Sequence, residues 1–131
     1  MSQRCNRNGM GSSSMGSLAR IARPMIHLPE VVGAFFNAAS RAGWRVREGK
    51  QQVMLFSPAG IKIGGWNKVY EHWYVSAVIA EGHEPLMRRH GFELKDRTAD
   101  HHRWWQLDGP NRADGFRRVC EALTGDRMGA G

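Results

Sequence analysis

The residues here with the widest chemical repertoire are six histidines and two cysteines in a chain of 131. Their spacing argues against a metal. His83-Glu84 is followed by His90, seven positions after His83 rather than four, so the two rings do not share a helical face as His-Glu-x-x-His requires. His101 and His102 are adjacent and on a strand point to opposite faces. Cys5 and Cys120 form no Cys-x-x-Cys pair, and no cofactor is expected. His102 has the right ordinary pKa to act as a general base in RNA cleavage, beside an Arg or Lys. A polar histidine at a strand end is much the commoner explanation. Gly64-Gly65 lacks the Lys-Ser/Thr that completes a phosphate loop, so a tight turn or bulge is expected there. There is no Gly-x-Ser-x-Gly elbow or paired carboxylates. The expectation leans towards a protein that is not an enzyme.

Cations interleaved with aromatics are more suggestive. In Trp44-Arg45-Val46-Arg47 the arginines take the strand face opposite Trp44 and Val46. Lys50 falls in the turn that follows, and Lys62 points away from Ile61 and Ile63. Lys95, Arg97 and Arg103 recur later, the last beside Trp104. Such side chains suit a phosphate track, and an exposed Trp66 or Trp104 suits stacking on a base. The expected nucleic-acid-binding set is therefore Arg45, Arg47, Lys50, Lys62, Trp66, Lys95, Arg97, Arg103 and Trp104, with DNA ahead of RNA as ligand. Solvated outer-face cations and core tryptophans are the ordinary alternative. Because Trp, Tyr and Arg also dominate protein interfaces, a protein-interaction module or inhibitor is the second functional class.

These side chains must be positioned by an ordered set of elements. Pro29-Glu30 opens a helix, Val32, Phe35, Phe36 and Ala39 form its apolar stripe, and Gly43 stops it. Strands follow at 44–48, 52–56 and 61–63, the last ending at Gly64-Gly65. Residues 69–80 satisfy both periodicities and are assigned as strand on their aromatic and β-branched content. Glu84 to Gly91 forms a short helix, and 92–96 and 102–107 a second strand pair. Asn111 is expected to cap a last helix with the stripe Ala113, Phe116, Val119, Cys120 and Leu123, ended by Gly125.

The pattern repeats. Arg41-Ala42-Gly43-Trp44-Arg45-Val46-Arg47 matches Arg89-His90-Gly91-Phe92-Glu93-Leu94-Lys95, 48 residues on. The fold class is thus α+β, with a mostly antiparallel sheet built from two related helix–β-hairpin units plus a C-terminal helix. This order of elements resembles the double-wing DNA-binding domain of phage middle-promoter transcription factors, over roughly 28–124. The resemblance implies DNA contacts from the sheet and wings, at Arg45, Arg47, Lys50, Lys62, Lys95, Arg97 and Arg103. The first unit also resembles HicA-type toxin ribonucleases, which carry Gly-Ser-His on the second strand. Gly49-Lys50-Gln51-Gln52 stands there in this chain, and the second unit has Asp100-His101-His102.

Composition sets the frame. The chain carries 19 Lys+Arg against 12 Asp+Glu, a net +7, with 41% apolar and 24% charged residues. That is close to a globular average and enough chain for one domain. Arg4, Arg7, Arg20 and Arg23 precede the first acid, Glu30, so the rest of the chain carries only +3. Residues 1–25 are expected as a flexible Gly/Ser/Arg-rich basic tail, 26–125 as the α+β domain and 126–131 as a disordered end. No apolar run reaches the roughly 20 residues of a membrane span. Two cysteines fit a reducing, cytoplasmic setting.

Overall fold

The first helix, α1 (Glu30–Arg41), buries its expected stripe of Val32, Phe35, Phe36 and Ala39. Gly43 lies at φ +95°, which lets the chain reverse and the Trp44 amide donate to the Ala39 carbonyl at 3.0 Å. The chain then enters a sheet. The computed structural model describes residues 28–97 and 102–129. The expected tail at 1–25 lies outside the described residues.

Strands β1 (Arg45–Glu48), β2 (Gln52–Phe56), β3 (Lys62–Asn67) and β4 (His72–Ser76) run on as an antiparallel meander. Two short helices follow, α2 (Ala77–Ala80) and α3 (Glu84–Arg89). A hairpin of β5 (Glu93–Arg97) and β6 (His102–Asp108) leads through a 3-10 turn at Pro110–Arg112 into α4 (Ala113–Thr124). The six strands form one antiparallel sheet in the order β1-β2-β3-β4-β6-β5. Each hairpin takes one margin, and its first strand is the edge.

The repeat is visible in the backbone. At α3 the Phe92 amide donates to the Met87 carbonyl at 3.0 Å, and Gly91 takes φ +87°. Trp44 and Phe92 both enter the core at 2% exposure. The pair Glu48↔Val53 closes the first hairpin around four residues, whereas Asp96↔Arg103 encloses six. The 48-residue offset therefore holds through helix and edge strand and slips by two on the return strand.

One face of the sheet is covered. Val53, Leu55, Ile63, Trp66, Trp73, Val75, Trp105 and Leu107 are buried in one cluster with α1, Met87 of α3 and the α4 stripe. Trp73 is its hub: its ring lies 4.7 Å from Phe116, 4.9 Å from Trp66 and 5.0 Å from Phe35. Its indole nitrogen donates to the Gly109 carbonyl at 3.1 Å, so the ring is buried without losing its polar bond.

Four expectations are corrected. The strand expected at 61–63 continues through Gly64-Gly65 to Asn67, because both glycines take the tight backbone approach of neighbouring strands. A Cβ on Gly64 would strike the Tyr74 carbonyl, and one on Gly65 the Val53 carbonyl. The expected bulge is adjacent, where the register shifts between Leu55 and Phe56. Residues 69–80 divide into strand and helix: Ser76 caps α2, its hydroxyl accepting from the Val78 amide. Asn111 lies inside the 3-10 turn and caps nothing; Arg112 occupies the cap position of α4 without a side-chain bond. The segment after α4 is held as far as Gly129. Met128 is 1% exposed, its amide donates to Glu121 Oε2 at 2.7 Å, and the Arg127 carbonyl accepts from the Trp44 indole at 3.2 Å.

Candidate nucleic-acid interface

Strand alternation sends the residues between the core-facing positions to the second face. The register arranges these residues in rows across the sheet. The central row is Arg47–Met54–Gly65–Tyr74–Gln106–Glu93, one residue from each strand. On one side of it lie Arg45–Phe56–Lys62 and, across the middle, Ser76–Trp104–Lys95. On the other side lies Gln52–Asn67–His72–Asp108. The helices named above pack on the opposite face.

The charges on this face are sorted along the strand direction. Arg45, Lys62 and Lys95 share the first side row. The acids Glu93 and Asp108 stand in the central and far rows. Arg45, Arg47 and Lys62 are exposed. Two of them lie over aromatic faces: the Arg47 guanidinium 5.4 Å from the Phe56 centroid and the Lys62 ammonium 6.0 Å from that of Tyr74. Lys95 pairs with Glu93 at 3.0 Å.

A concavity of about 860 Å³ crosses the middle of this face. Its walls include Tyr70 and His72 at one end, Lys62, Arg103 and Trp104 at the other, with Tyr74 and Gln52 between. Asn67 shapes the first end, its Oδ1 accepting from the Val69 and Tyr70 amides at 2.9 and 2.8 Å. That Asx turn presents Tyr70 at 75% exposure, parallel to the His72 ring with centroids 6.3 Å apart. The Tyr74 hydroxyl donates to Gln52 Oε1. Burial pushes the Tyr74 phenol far above its ordinary pKa, so it stays a neutral donor. Burial also lowers the His72 pKa, with Lys95 acting in the same direction and Asp108 against it. Among the described residues, no three His, Cys, Asp or Glu side chains converge as metal ligands.

Of the nine residues expected at a nucleic-acid site, Arg45, Arg47, Lys62, Lys95 and Trp104 come together on the open face, and the Arg97 side chain lies outside the described residues. Three do not join them. Trp66 is fully buried. Because β3 runs through the glycines, alternation sends Trp66 to the core beside Trp73. Arg103 neighbours Trp104 and so faces the covered side, where it pairs with Asp96 at 2.9 Å; it reaches the concavity only at its rim. Lys50 lies in the β1–β2 turn, at the end of the strands away from the Arg45 row.

Sequence reasoning missed Phe56, Tyr74, His72, Gln52, Asn67 and Tyr70. Alternation in Gln52-Val53-Met54-Leu55-Phe56 was signal enough for Phe56 and Gln52. For His72 and Tyr74 the signal was masked by the double periodicity of 69–80.

No helix among the described residues is long and apolar enough to cross a membrane. The chain matches no protein-family model, no curated protein and no solved structure.

Proposed function

We propose that the protein binds single-stranded nucleic acid on the uncovered face of its sheet. The observation that carries this reading is the placement of Arg45, Arg47, Lys62 and Lys95 with Phe56, Tyr74 and Trp104 on the sheet face that the described helices do not cover. A flat, twisted sheet offers aromatic faces to unstacked bases, and cations beside them meet the phosphates. A duplex hides its base faces, so the aromatics favour a single strand over double helix. The Arg45 row spans about 24 Å, five strand spacings of ~4.8 Å, so several nucleotides lie along it. Glu93 and Asp108 disfavour phosphate at their own ends of the central and far rows.

Tryptophan fluorescence tests the reading directly. Trp44, Trp66, Trp73 and Trp105 are buried, whereas Trp104 is half-buried on the open face. Titration with ten-nucleotide oligo-dT and oligo-U is expected to quench the full chain, less so as salt rises. Trp104→Phe is expected to abolish most of the quenching. Absence of salt-sensitive quenching with either oligomer overturns the proposal and favours a protein partner for the same face.

A further inference from the structure

The concavity on the open face is chemically two-ended. Lys62 and Arg103 stand at one end, and the neutral groups Gln51, Gln52, Asn67, Tyr70 and His72 at the other. No acid lines it. Four residues of strand, or about 13 Å, separate the Lys62 row from the Asn67 row. Between these ends, in the central row beside Tyr74, Gly65 carries no side chain, and the flanking Val53 carbonyl allows none. A fitting ligand needs an anion at one end and a planar ring with hydrogen-bonding edges at the other.

We infer that this concavity is a nucleotide-binding site, taking a phosphate at Lys62, with the Asp96-paired Arg103 only at the rim, and a base against Tyr70, within reach of the Gln52 and Asn67 amides. The choice of ligand rests on the nucleic-acid reading of the surrounding face. The amide orientations follow from bonds already made. Gln52 Oε1 accepts from Tyr74, which leaves its NH2 group to donate, and Asn67 Oδ1 is committed to the turn, which leaves its NH2 group likewise. Two donors at the base end select acceptor edges, such as the carbonyl oxygens and unprotonated ring nitrogens of a base. Tyr70, held by the turn and exposed, supplies the stacking face.

The same chemistry is carried by a mononucleotide and by one unit of a strand, and two titrations separate them. Amide chemical shifts of the full chain are followed with UMP, AMP and a ten-nucleotide oligo-U. Shifts at Gly65, His72 and the Gln52 side-chain amide are expected with the mononucleotides and with the oligomer. Tyr70→Ala and Gln52→Leu are each expected to weaken mononucleotide binding five- to tenfold while preserving the dispersed spectrum of the fold. An oligomer that quenches Trp104 with no shift at Gly65 or His72 refutes the site and leaves the interface standing. Mononucleotide shifts without oligomer binding keep the site and refute the interface. Shifts from neither ligand remove both.

Discussion

If phosphates run along the Arg45 row, removing one of its cations must change the salt dependence of binding by a countable amount. Arg45, Lys62 and Lys95 face one side of the sheet in this row. Each phosphate neutralised on a single strand contributes a slope of about −0.7 to log K against log[salt]. Three contacts therefore contribute about −2, so that affinity falls about 20-fold between 50 and 200 mM salt. Lys62→Gln leaves about −1.4 from the row and a fall of about 7-fold. The decrement of about 0.7 holds whatever other cations of the chain add. Arg89→Gln, an exposed cation on α3, serves as the control and is expected to leave the slope unchanged. Fluorescence anisotropy of a labelled ten-nucleotide oligo-dT across four salt concentrations measures it. An unchanged slope for Lys62→Gln, or an equal decrement for Arg89→Gln, refutes the placement of the backbone.

Other outcomes follow from the core and its titrating groups. Gly64→Ala drives a methyl into the Tyr74 carbonyl and is expected to cost about 3 kcal/mol or more in urea unfolding. Phe116→Ala removes a fully buried ring stacked on Trp73 and is expected to cost about 3–5 kcal/mol by the same assay. Cys120 is fully buried, and burial raises its thiol pKa well above the ordinary value. In a Cys5→Ser background a thiol-exchange reagent at pH 8 is therefore expected to label nothing until denaturant is added. His72 and His90 both hold pKa values lowered chiefly by burial, so the unfolded chain binds their protons more readily. Their contribution to stability is whole above the unfolded value near 6.5 and is lost as pH falls from there towards the folded values. Each histidine gives at most about 1.4 kcal/mol per pH unit, and His72→Gln is expected to flatten that slope in denaturant titrations at pH 5 to 7.

Much of this architecture was legible because local signals agreed with one another. The α1 and α4 stripes fall where periodicity puts them, and Gly43 and Gly91 mark helix ends that the backbone makes at φ +95° and +87°. Alternation placed Arg45 and Arg47 outward with no knowledge of the partner strand. Legibility failed where a residue's role depends on what crosses beside it. Gly64-Gly65 looks like a turn along the chain; only Tyr74 and Val53, brought alongside by β4 and β2, make it the middle of a strand. The misplacement of Trp66 follows from that one error. The concavity was illegible for the same reason, since its walls come from β2, β3, β4 and β6 and from the turn at Val69 and Tyr70.

The repeat and the site occupy complementary parts of the sheet. Under the offset that relates the two units, Arg47 corresponds to Lys95 and Val46 to Leu94, so both margins present a cation outward and turn an apolar residue towards the core at these positions. The two-residue slip on the return strand then sets Trp104 where Met54 stands in the first unit, beside its margin's cation. Arg45, however, corresponds to Glu93, which pairs with Lys95 and weakens the second margin as a phosphate contact. The central strands β3 and β4 have no counterpart in the repeat, and they supply Lys62, Gly65, His72 and Tyr74. A symmetric frame with unequal margins and a singular centre gives a bound strand two distinguishable ends. Stronger phosphate contacts are expected at β1 than at β5. Arg45→Gln should therefore weaken oligomer binding more than Lys95→Gln, and the reverse order would mean that the Glu93 pair opens on binding and the margins act alike.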